Sequence, residues 1–149
     1  MSEFQAAIAV KLIERFPQQQ EYRNEIAEYY LNELKPLEEN GILTLPKVKE
    51  FNENGWSHTY HLFCIYLNQH EPQEVIQKLS DLGVGATPAY GYLITDFDML
   101  EEGCPYSSEE YPVAREITER LLAIPLSQYI TKEESVKVVE SLFEVLGDA

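Results

Sequence analysis

Three histidines, His58, His61 and His70, are the side chains of this sequence best suited to bind a metal ion or transfer a proton. A shared ion would require His58 and His61 to point at one place. They lie in the segment SHTYHLFCIYL, whose aromatic and β-branched residues predict a central strand. Residues 58 and 61 have opposite parity on a strand, so their side chains leave opposite faces. The pair therefore predicts two polar residues beside a buried strand and no metal site.

An acidic stretch, TDFDMLEE, could gather a hard cation through Asp96, Asp98, Glu101 and Glu102. A calcium loop of the EF-hand kind needs a glycine at its sharp turn and a bidentate glutamate at its twelfth position. Neither residue stands at the required place. We therefore expect residues 95 to 109 to form a solvated acidic loop.

Nucleophilic catalysis has no evident residues in this sequence. No serine or cysteine stands in a nucleophile elbow, and neither a P-loop nor a G-x-G-x-x-G pattern is present. Cys64 lies in an apolar run and Cys104 in the loop EEGCPYSS, so we expect two free thiols. Taken alone, the residues predict a domain with no catalytic set and no metal ligands.

The spacing of apolar residues predicts the elements that must position these side chains, beginning with a helix at the N-terminus. Ser2 and Gln5 have the residue types of a reciprocal capping box. Phe4, Ile8 and Leu12 then recur every four residues. The pattern predicts an amphipathic helix from residue 2 whose apolar face needs a covering surface.

A second helical pattern follows Pro17 and should stop near Gly41, which can adopt the left-handed cap conformation. Residues 1–40 are thus predicted to form a leading helix pair. Residues 42–56 mix apolar pairs with proline, asparagine and glycine. They predict an irregular connection with room for one short strand.

The remaining elements alternate helices with strands. A helix of about three turns should begin at Pro72. The segment VGATPAYGYLI predicts a second strand interrupted at Pro88, which belongs at an edge or a bulge. A helix after Pro112 leads to a short third strand, AIPL, and a capping box of Thr131 and Glu134 opens the closing helix.

We therefore predict one domain over residues 1–149, of the α+β (α/β) class. The leading helix pair, 1–40, is followed by a small sheet domain at 41–149. That sheet is expected to have three strands with helices packed on one side. A chain of 149 residues is long enough for one core of ordinary size.

The formal charge of −15 limits the partners of this chain. Nucleic acid and anionic membrane surfaces both attract proteins through basic patches, so neither is an expected partner. The first residues lack a basic stretch followed by a long apolar run. We therefore expect neither a secretory signal nor a membrane anchor, and a cytoplasmic location.

Two stretches resemble a known family. In YPVAREITERLLAIPLSQYITKEESVKVVESL, Pro112 and Ala114 open a helix, Ile124, Pro125 and Leu126 follow, and Thr131, Glu133 and Glu134 start the last helix. This pattern is similar to the C-terminal signature of the pyridoxal-phosphate-dependent sugar aminotransferases of the DegT/DnrJ/StrS type. The opening MSEFQAA resembles another segment of that family. The resemblance implies the small C-terminal domain of a pyridoxal-phosphate-dependent transferase.

The resemblance also implies what this sequence lacks. The family's large domain, which carries the Schiff-base lysine and most of the phosphate site, would lie upstream of these residues. The lysines present here fall on polar helix faces or in the irregular connection, and none has the surroundings of a cofactor lysine. We therefore expect no cofactor, and pyridoxal phosphate only if a separate large domain supplies the site.

The resemblance singles out Tyr90 as the one substrate-side candidate. It aligns with the tyrosine of a histidine-rich family stretch near the substrate. Ala89, Gly91 and Thr95 stand where the family has two histidines and a proline. No catalytic or cofactor-binding residue is carried over.

Two readings of the function follow. The first is a stand-alone or truncated aminotransferase-like small domain that is not catalytic by itself, in a family that transfers amino groups to nucleotide-linked keto-sugars. The second is a non-enzymatic interaction module that self-associates or binds a partner through its leading helices. The expected partners are a second copy or a separately encoded large domain. An independent enzyme using His58, His61 or the acidic loop is the least favoured reading.

Overall fold

The computed structural model describes residues 2–48, 58–97 and 108–147. In these ranges the chain forms helices and short strands, with 3₁₀ turns at Ile94–Asp96 and Ser108–Glu110. No helix within them is long and apolar enough to span a bilayer. The elements in chain order are α1 (Glu3–Glu33), α2 (Lys35–Glu39), β1 (Leu43–Thr44), β2 (Phe63–Leu67), α3 (Pro72–Asp81), β3 (Thr87–Pro88), α4 (Pro112–Arg120), β4 (Leu121–Ile124) and α5 (Lys132–Leu146).

The sheet has four strands in the described part of the chain, ordered β1-β2-β4-β3, and all neighbours are antiparallel. The prediction of three strands was wrong. The additional strand, β1, lies in the irregular connection and pairs Leu43 with Leu67. Two residues are too few to reveal the alternation that identifies a strand in a sequence. The chain enters β1 after Gly41, whose φ of 71° turns it out of α2.

The edge strand β3 runs parallel to β2, because both are antiparallel to the strand between them, β4. Helix α3 lies in the crossover connection from β2 to β3. Of the predicted strand at 84–94 only Thr87 and Pro88 pair with β4. Pro88 lies on the edge strand of the sheet, as predicted, and an edge strand tolerates a residue that has no N–H to donate.

The two faces of the sheet are covered differently. Phe63, Ile65 and Leu67 of β2 are buried in the core with residues of α1, α3 and α5. Tyr66 points to the opposite face, and its hydroxyl donates to the Glu116 carboxylate of α4 at 3.1 Å. Helix α4 therefore lies on the other side of the sheet. The expectation that all helices pack on one side was wrong, because α4 has no buried residue and is too polar to join the core.

Two leading helices are present, but they divide at Leu34 and not at Pro17. Helix α1 runs unbroken through Pro17 for 31 residues. A proline inside a helix removes one hydrogen bond and usually costs about 3 kcal/mol. Residues 10–18 are exposed, so water is available to the carbonyl that loses its donor. The turns on either side contain good helix formers, and the helix continues.

The second half of α1 is anchored to the body by tyrosines. Tyr30 is fully buried, and its ring packs edge-on against Phe63 with centroids 5.3 Å apart. Its hydroxyl donates to the Pro125 carbonyl at 2.8 Å, just beyond β4. About two helical turns earlier, the Tyr22 hydroxyl donates to the Ile130 carbonyl at 2.6 Å. These two bonds tie α1 to the connection between β4 and α5.

An arginine completes the attachment of α1. The Arg23 guanidinium donates to the carbonyls of Tyr60 at 3.0 Å and His61 at 3.4 Å, and to the Gln128 side chain at 2.8 Å. Charge-assisted bonds of this kind are among the stronger hydrogen bonds in proteins. Arg23 therefore joins α1 to both the approach to β2 and the segment after β4.

Replacing Tyr30 by phenylalanine tests the buried anchor. The Pro125 carbonyl then loses its donor in a buried setting, so we expect the free energy of unfolding to fall by about 1–2 kcal/mol. Tyr29→Phe, on the half-buried neighbour, is the matched control and should change stability by less than about 0.5 kcal/mol. Urea unfolding measures both variants. Equal effects of the two substitutions would contradict the assigned anchor.

Alkaline pH provides a second test of the same side chain. Burial, the largest cause, raises the pKa of Tyr30 above its ordinary value of 10.0. The phenol thus stays neutral in the folded protein where the unfolded chain ionises. Its stabilising contribution is complete below about pH 10 and is lost as the pH rises further. We expect the unfolding free energy to fall over this range, and to fall less in Tyr30→Phe; an identical decline in both proteins would contradict the assignment.

Candidate functional site

The two histidines considered as metal ligands lie outside the strand predicted to hold them. β2 begins at Phe63, because Tyr60 has a left-handed backbone with φ 42° and turns the chain before the strand. His58 Nδ1 accepts the Tyr60 N–H at 3.0 Å, and His61 is exposed. The prediction that His58 and His61 lie on a strand, with side chains on opposite faces, was therefore wrong. In the ranges that the structure describes, no three histidine, cysteine or acidic side chains are grouped to hold a metal ion.

The acidic stretch is only partly described. Within it, the Asp96 carboxylate receives both ends of the Arg115 guanidinium at 2.9 and 2.5 Å and also accepts the Leu93 N–H at 2.8 Å. This bidentate ion pair joins the 3₁₀ turn to α4. Asp96 therefore has a structural partner in the protein. Four residues of the predicted acidic loop lie outside the described ranges, namely Asp98, Glu101, Glu102 and Cys104.

Tyr90, the substrate-side candidate, lies on the segment that follows β3 and is 65% exposed. This segment is tied to the fold at both ends. The Ala89 N–H donates to the Leu121 carbonyl at 3.1 Å, and the Asp96–Arg115 ion pair fixes the far end. The Tyr90 phenol is thus open to solvent on an anchored segment. Three further apolar side chains on it are exposed, namely Tyr92, Ile94 and Phe97.

The thiol of Cys64 is unsuited to nucleophilic chemistry. Cys64 is free and half-buried, on the face of β2 opposite the core. Burial raises the pKa of its thiol, which lowers the fraction of the reactive thiolate. The expectation of a free thiol is confirmed for Cys64.

The lysines in the described ranges do not fit a pyridoxal phosphate site. A lysine that holds this cofactor must lie in a pocket with groups that orient the ring and its phosphate. Every lysine in the described ranges is exposed to solvent. These residues are Lys11, Lys35, Lys47, Lys78, Lys132 and Lys137.

One open cleft, of about 580 Å³, lies between the end of α3, the segment after β4 and the start of α5. Lys137 brings a cation to it and reaches Gly83 so closely that a Cβ there would lie 3.1 Å from Nζ. The Glu134 carboxylate also lines the cleft, and its Oε2 accepts the Thr131 N–H at 2.8 Å in the predicted capping box. The cleft therefore contains one ammonium group and one carboxylate that also caps α5.

The first half of α1 carries an uncovered apolar row, which we call the N-terminal stripe: Phe4, Ile8, Leu12 and Phe16. These side chains are 75%, 45%, 56% and 54% exposed. The predicted capping box of Ser2 and Gln5 is present and starts the helix. Exposed apolar surfaces of this extent are typical of interaction sites. Within the described residues, no part of the fold covers the stripe.

Two arginines with structural roles were missed by sequence reasoning. Arg115 lies 19 residues from Asp96, and Arg23 lies 37 residues from Tyr60. No periodicity links positions so far apart. The sequence signals only that arginines stand among glutamates on these helices, which predicts ion pairs without identifying the partners.

Comparison with known proteins gives relatives along the whole chain. A curated relative from Bacillus subtilis (strain 168), 3-oxo-glucose-6-phosphate:glutamate aminotransferase, is 26% identical over 98% of this chain and 32% of its own length. A second, from Aneurinibacillus thermoaerophilus, is dTDP-3-amino-3,6-dideoxy-alpha-D-galactopyranose transaminase, 24% identical over 95% of this chain and 36% of its own. The chain thus spans about a third of the length of the curated relatives it matches.

Solved structures have the same fold. An aminotransferase from Psychrobacter cryohalolentis superposes with a TM-score of 0.84 at 23% identity, over 99% of this chain and 39% of that protein. The profile of the DegT/DnrJ/EryC1/StrS aminotransferase family matches residues 1–143. The order of elements, the capping box of the last helix and this match agree, and the chain belongs to the DegT/DnrJ/EryC1/StrS aminotransferase family.

Proposed function

We propose that these 149 residues act as the small domain of a sugar aminotransferase and are not catalytic by themselves. Amino transfer to a keto-sugar then requires a large domain, which contributes the cofactor lysine and the phosphate site. The observation that carries the proposal is the solvent exposure of every described lysine in a chain that superposes over nearly its whole length on an aminotransferase. The names of the curated relatives support a sugar as the acceptor.

The chemistry explains why exposure argues against a cofactor site here. A lysine that reacts with a carbonyl must lose its proton, which burial or a neighbouring cation promotes. An exposed ammonium group keeps its hydration and has neither aid. Lys137, which lines the cleft, lies beside the Gly83 turn and is exposed to solvent. We therefore assign none of the described lysines a role in forming a bond to pyridoxal phosphate.

Within this proposal the segment of Tyr90 is the part that faces the substrate. The phenol is exposed and can donate to, or accept from, a sugar hydroxyl. A segment held at both ends keeps such a group in position, which reduces the entropy lost on binding. The Asp96–Arg115 ion pair supplies that restraint on the side of α4.

A second candidate function is a protein-interaction module, and the N-terminal stripe favours it. Residues 2–18 contain no buried side chain, although α1 is continuous there. A helix with an apolar face normally buries that face against another surface. In a complete aminotransferase the covering surface would be the large domain. In the chain alone another surface is needed.

Loss of the Arg115 cation tests the anchored segment. Arg115→Met keeps the length of the side chain and removes both bonds to Asp96, so we expect amide hydrogen exchange at residues 92–97 to become at least several-fold faster. Arg120→Met, on the same helix, is the matched control, because Arg120 makes a long hydrogen bond to the Leu67 carbonyl at 3.4 Å and no ion pair within the described residues. Unchanged exchange in Arg115→Met, or equal changes in both variants, would contradict the restraint.

Pyridoxal phosphate labelling tests the absence of a cofactor site in the 149-residue chain. The chain is mixed with the cofactor, reduced with borohydride and digested for mass spectrometry. We expect label to be spread over several exposed lysines, without saturation at one cofactor per chain. Its matched control is labelling of the chain after thermal unfolding, which should give a similar distribution. A single lysine labelled to completion only in the folded protein would contradict the proposal.

A further inference from the structure

The segment that carries Tyr90 presents two further aromatic rings to solvent. Tyr92 is 74% exposed and Phe97 is 50% exposed. Their ring centroids lie 6.3 Å apart, and the ring planes are inclined at 51° to each other. At this distance and tilt neither ring covers the face of the other, so both keep a face open to a ligand. We call these two side chains the aromatic pair.

Hydrogen bonds hold the backbone between the two rings. The 3₁₀ turn Ile94–Asp96 connects them. Within it, the Asp96 carboxylate accepts the Leu93 N–H at 2.8 Å and receives the Arg115 guanidinium at 2.9 Å. Aromatic side chains have few rotatable bonds, and an ordered turn limits the backbone as well. A ligand that lies on the aromatic pair therefore costs little conformational entropy.

The charge of this segment limits the part of a substrate that it can contact. From Val84 to Phe97 the sequence has one charged residue, Asp96, and its charge is paired with Arg115. The segment itself thus brings no lysine or arginine to a phosphate group. The formal charge of −15 on the whole chain also repels anions. The aromatic pair therefore suits an uncharged group.

The flat faces of the aromatic pair favour a flat group. A nucleobase has a π face, and stacking on aromatic side chains is a common way for proteins to bind bases without reading their edges. A hexose ring is puckered and carries several hydroxyl groups, whose hydrogen bonds Phe97 cannot supply. The acceptor sugar of the proposed function can carry a simple phosphate or a nucleotide, and only the nucleotide contains a base.

We propose that Tyr92 and Phe97 form a stacking platform for the nucleobase of a nucleotide-linked sugar. This inference rests on the proposed function, in which the segment of Tyr90 faces the substrate, and it names the substrate class. The platform holds the unreactive end of the substrate and takes no part in amino transfer. The phosphate groups between base and sugar are bound by cations from outside this segment.

Titration of the 149-residue chain with thymidine, followed through the amide chemical shifts in NMR spectra, tests the platform. Thymidine contains a base and no phosphate, so the acidic chain does not repel it. We expect saturable shifts at residues 90–97. Glucose 6-phosphate, which contains no base, should leave the same signals unchanged at equal concentration.

Substitutions of Tyr92 separate stacking from apolar contact. Tyr92→Leu removes the ring and keeps an apolar side chain, so we expect the dissociation constant of thymidine to rise by at least about fivefold. Tyr92→Phe keeps the ring and should bind thymidine as the parent chain does. Tyr129→Leu is the matched control, because Tyr129 is 78% exposed and lies between β4 and α5. All three positions are exposed, so unchanged thermal unfolding excludes misfolding as the cause.

Each outcome supports or overturns the platform. Thymidine shifts that do not saturate, or that lie outside residues 90–97, overturn it. Equal responses to thymidine and glucose 6-phosphate also overturn it, as do equal effects of Tyr92→Leu and Tyr129→Leu. The titration contains no cofactor, and the pyridoxal phosphate labelling contains no nucleoside. Failure of this proposal and failure of the proposed function are therefore distinguishable.

Discussion

The burial of Tyr30 between α1 and the sheet is the interaction on which the rest of the structure depends. Its ring contacts Phe63 of the central strand, and its hydroxyl bonds the Pro125 carbonyl beyond β4. One side chain thus joins the long helix, the sheet and the connection to α5. Because this anchor and Arg23 hold only the second half of α1, the first half extends without contacts to the core. The attachment of α1 through its second half therefore also leaves the N-terminal stripe uncovered.

Sequence patterns predicted the elements whose chemistry is local. The capping boxes of Ser2 and Thr131 and the edge position of Pro88 all depend on residues within a few positions, and all are present. The failures involve forces that a local pattern does not contain. Strand β1 is too short for a period, and the left-handed backbone of Tyr60 makes β2 start later than expected, at Phe63. Helix α1 continues through Pro17, because an exposed helix tolerates a missing hydrogen bond better than a buried one.

The candidate site was less predictable than the fold. A resemblance in motifs was sufficient to identify the family, since it depends on short stretches of sequence. The surroundings of Tyr90 were not predictable, because they depend on Arg115, which reaches Asp96 from another helix. The stripe was visible as a pattern, but only its exposure in three dimensions identifies it as a surface without a partner.

We propose that this domain contributes surfaces while other parts of an aminotransferase contribute the reacting groups. The central claim of this account is that the first half of α1 works by being covered. Amide hydrogen exchange of residues 4–16, measured in the 149-residue chain alone and in a protein that also carries an aminotransferase large domain, tests this claim most directly. The account predicts that exchange there is slower when the large domain is present. Equal exchange of residues 4–16 in the two proteins would contradict it.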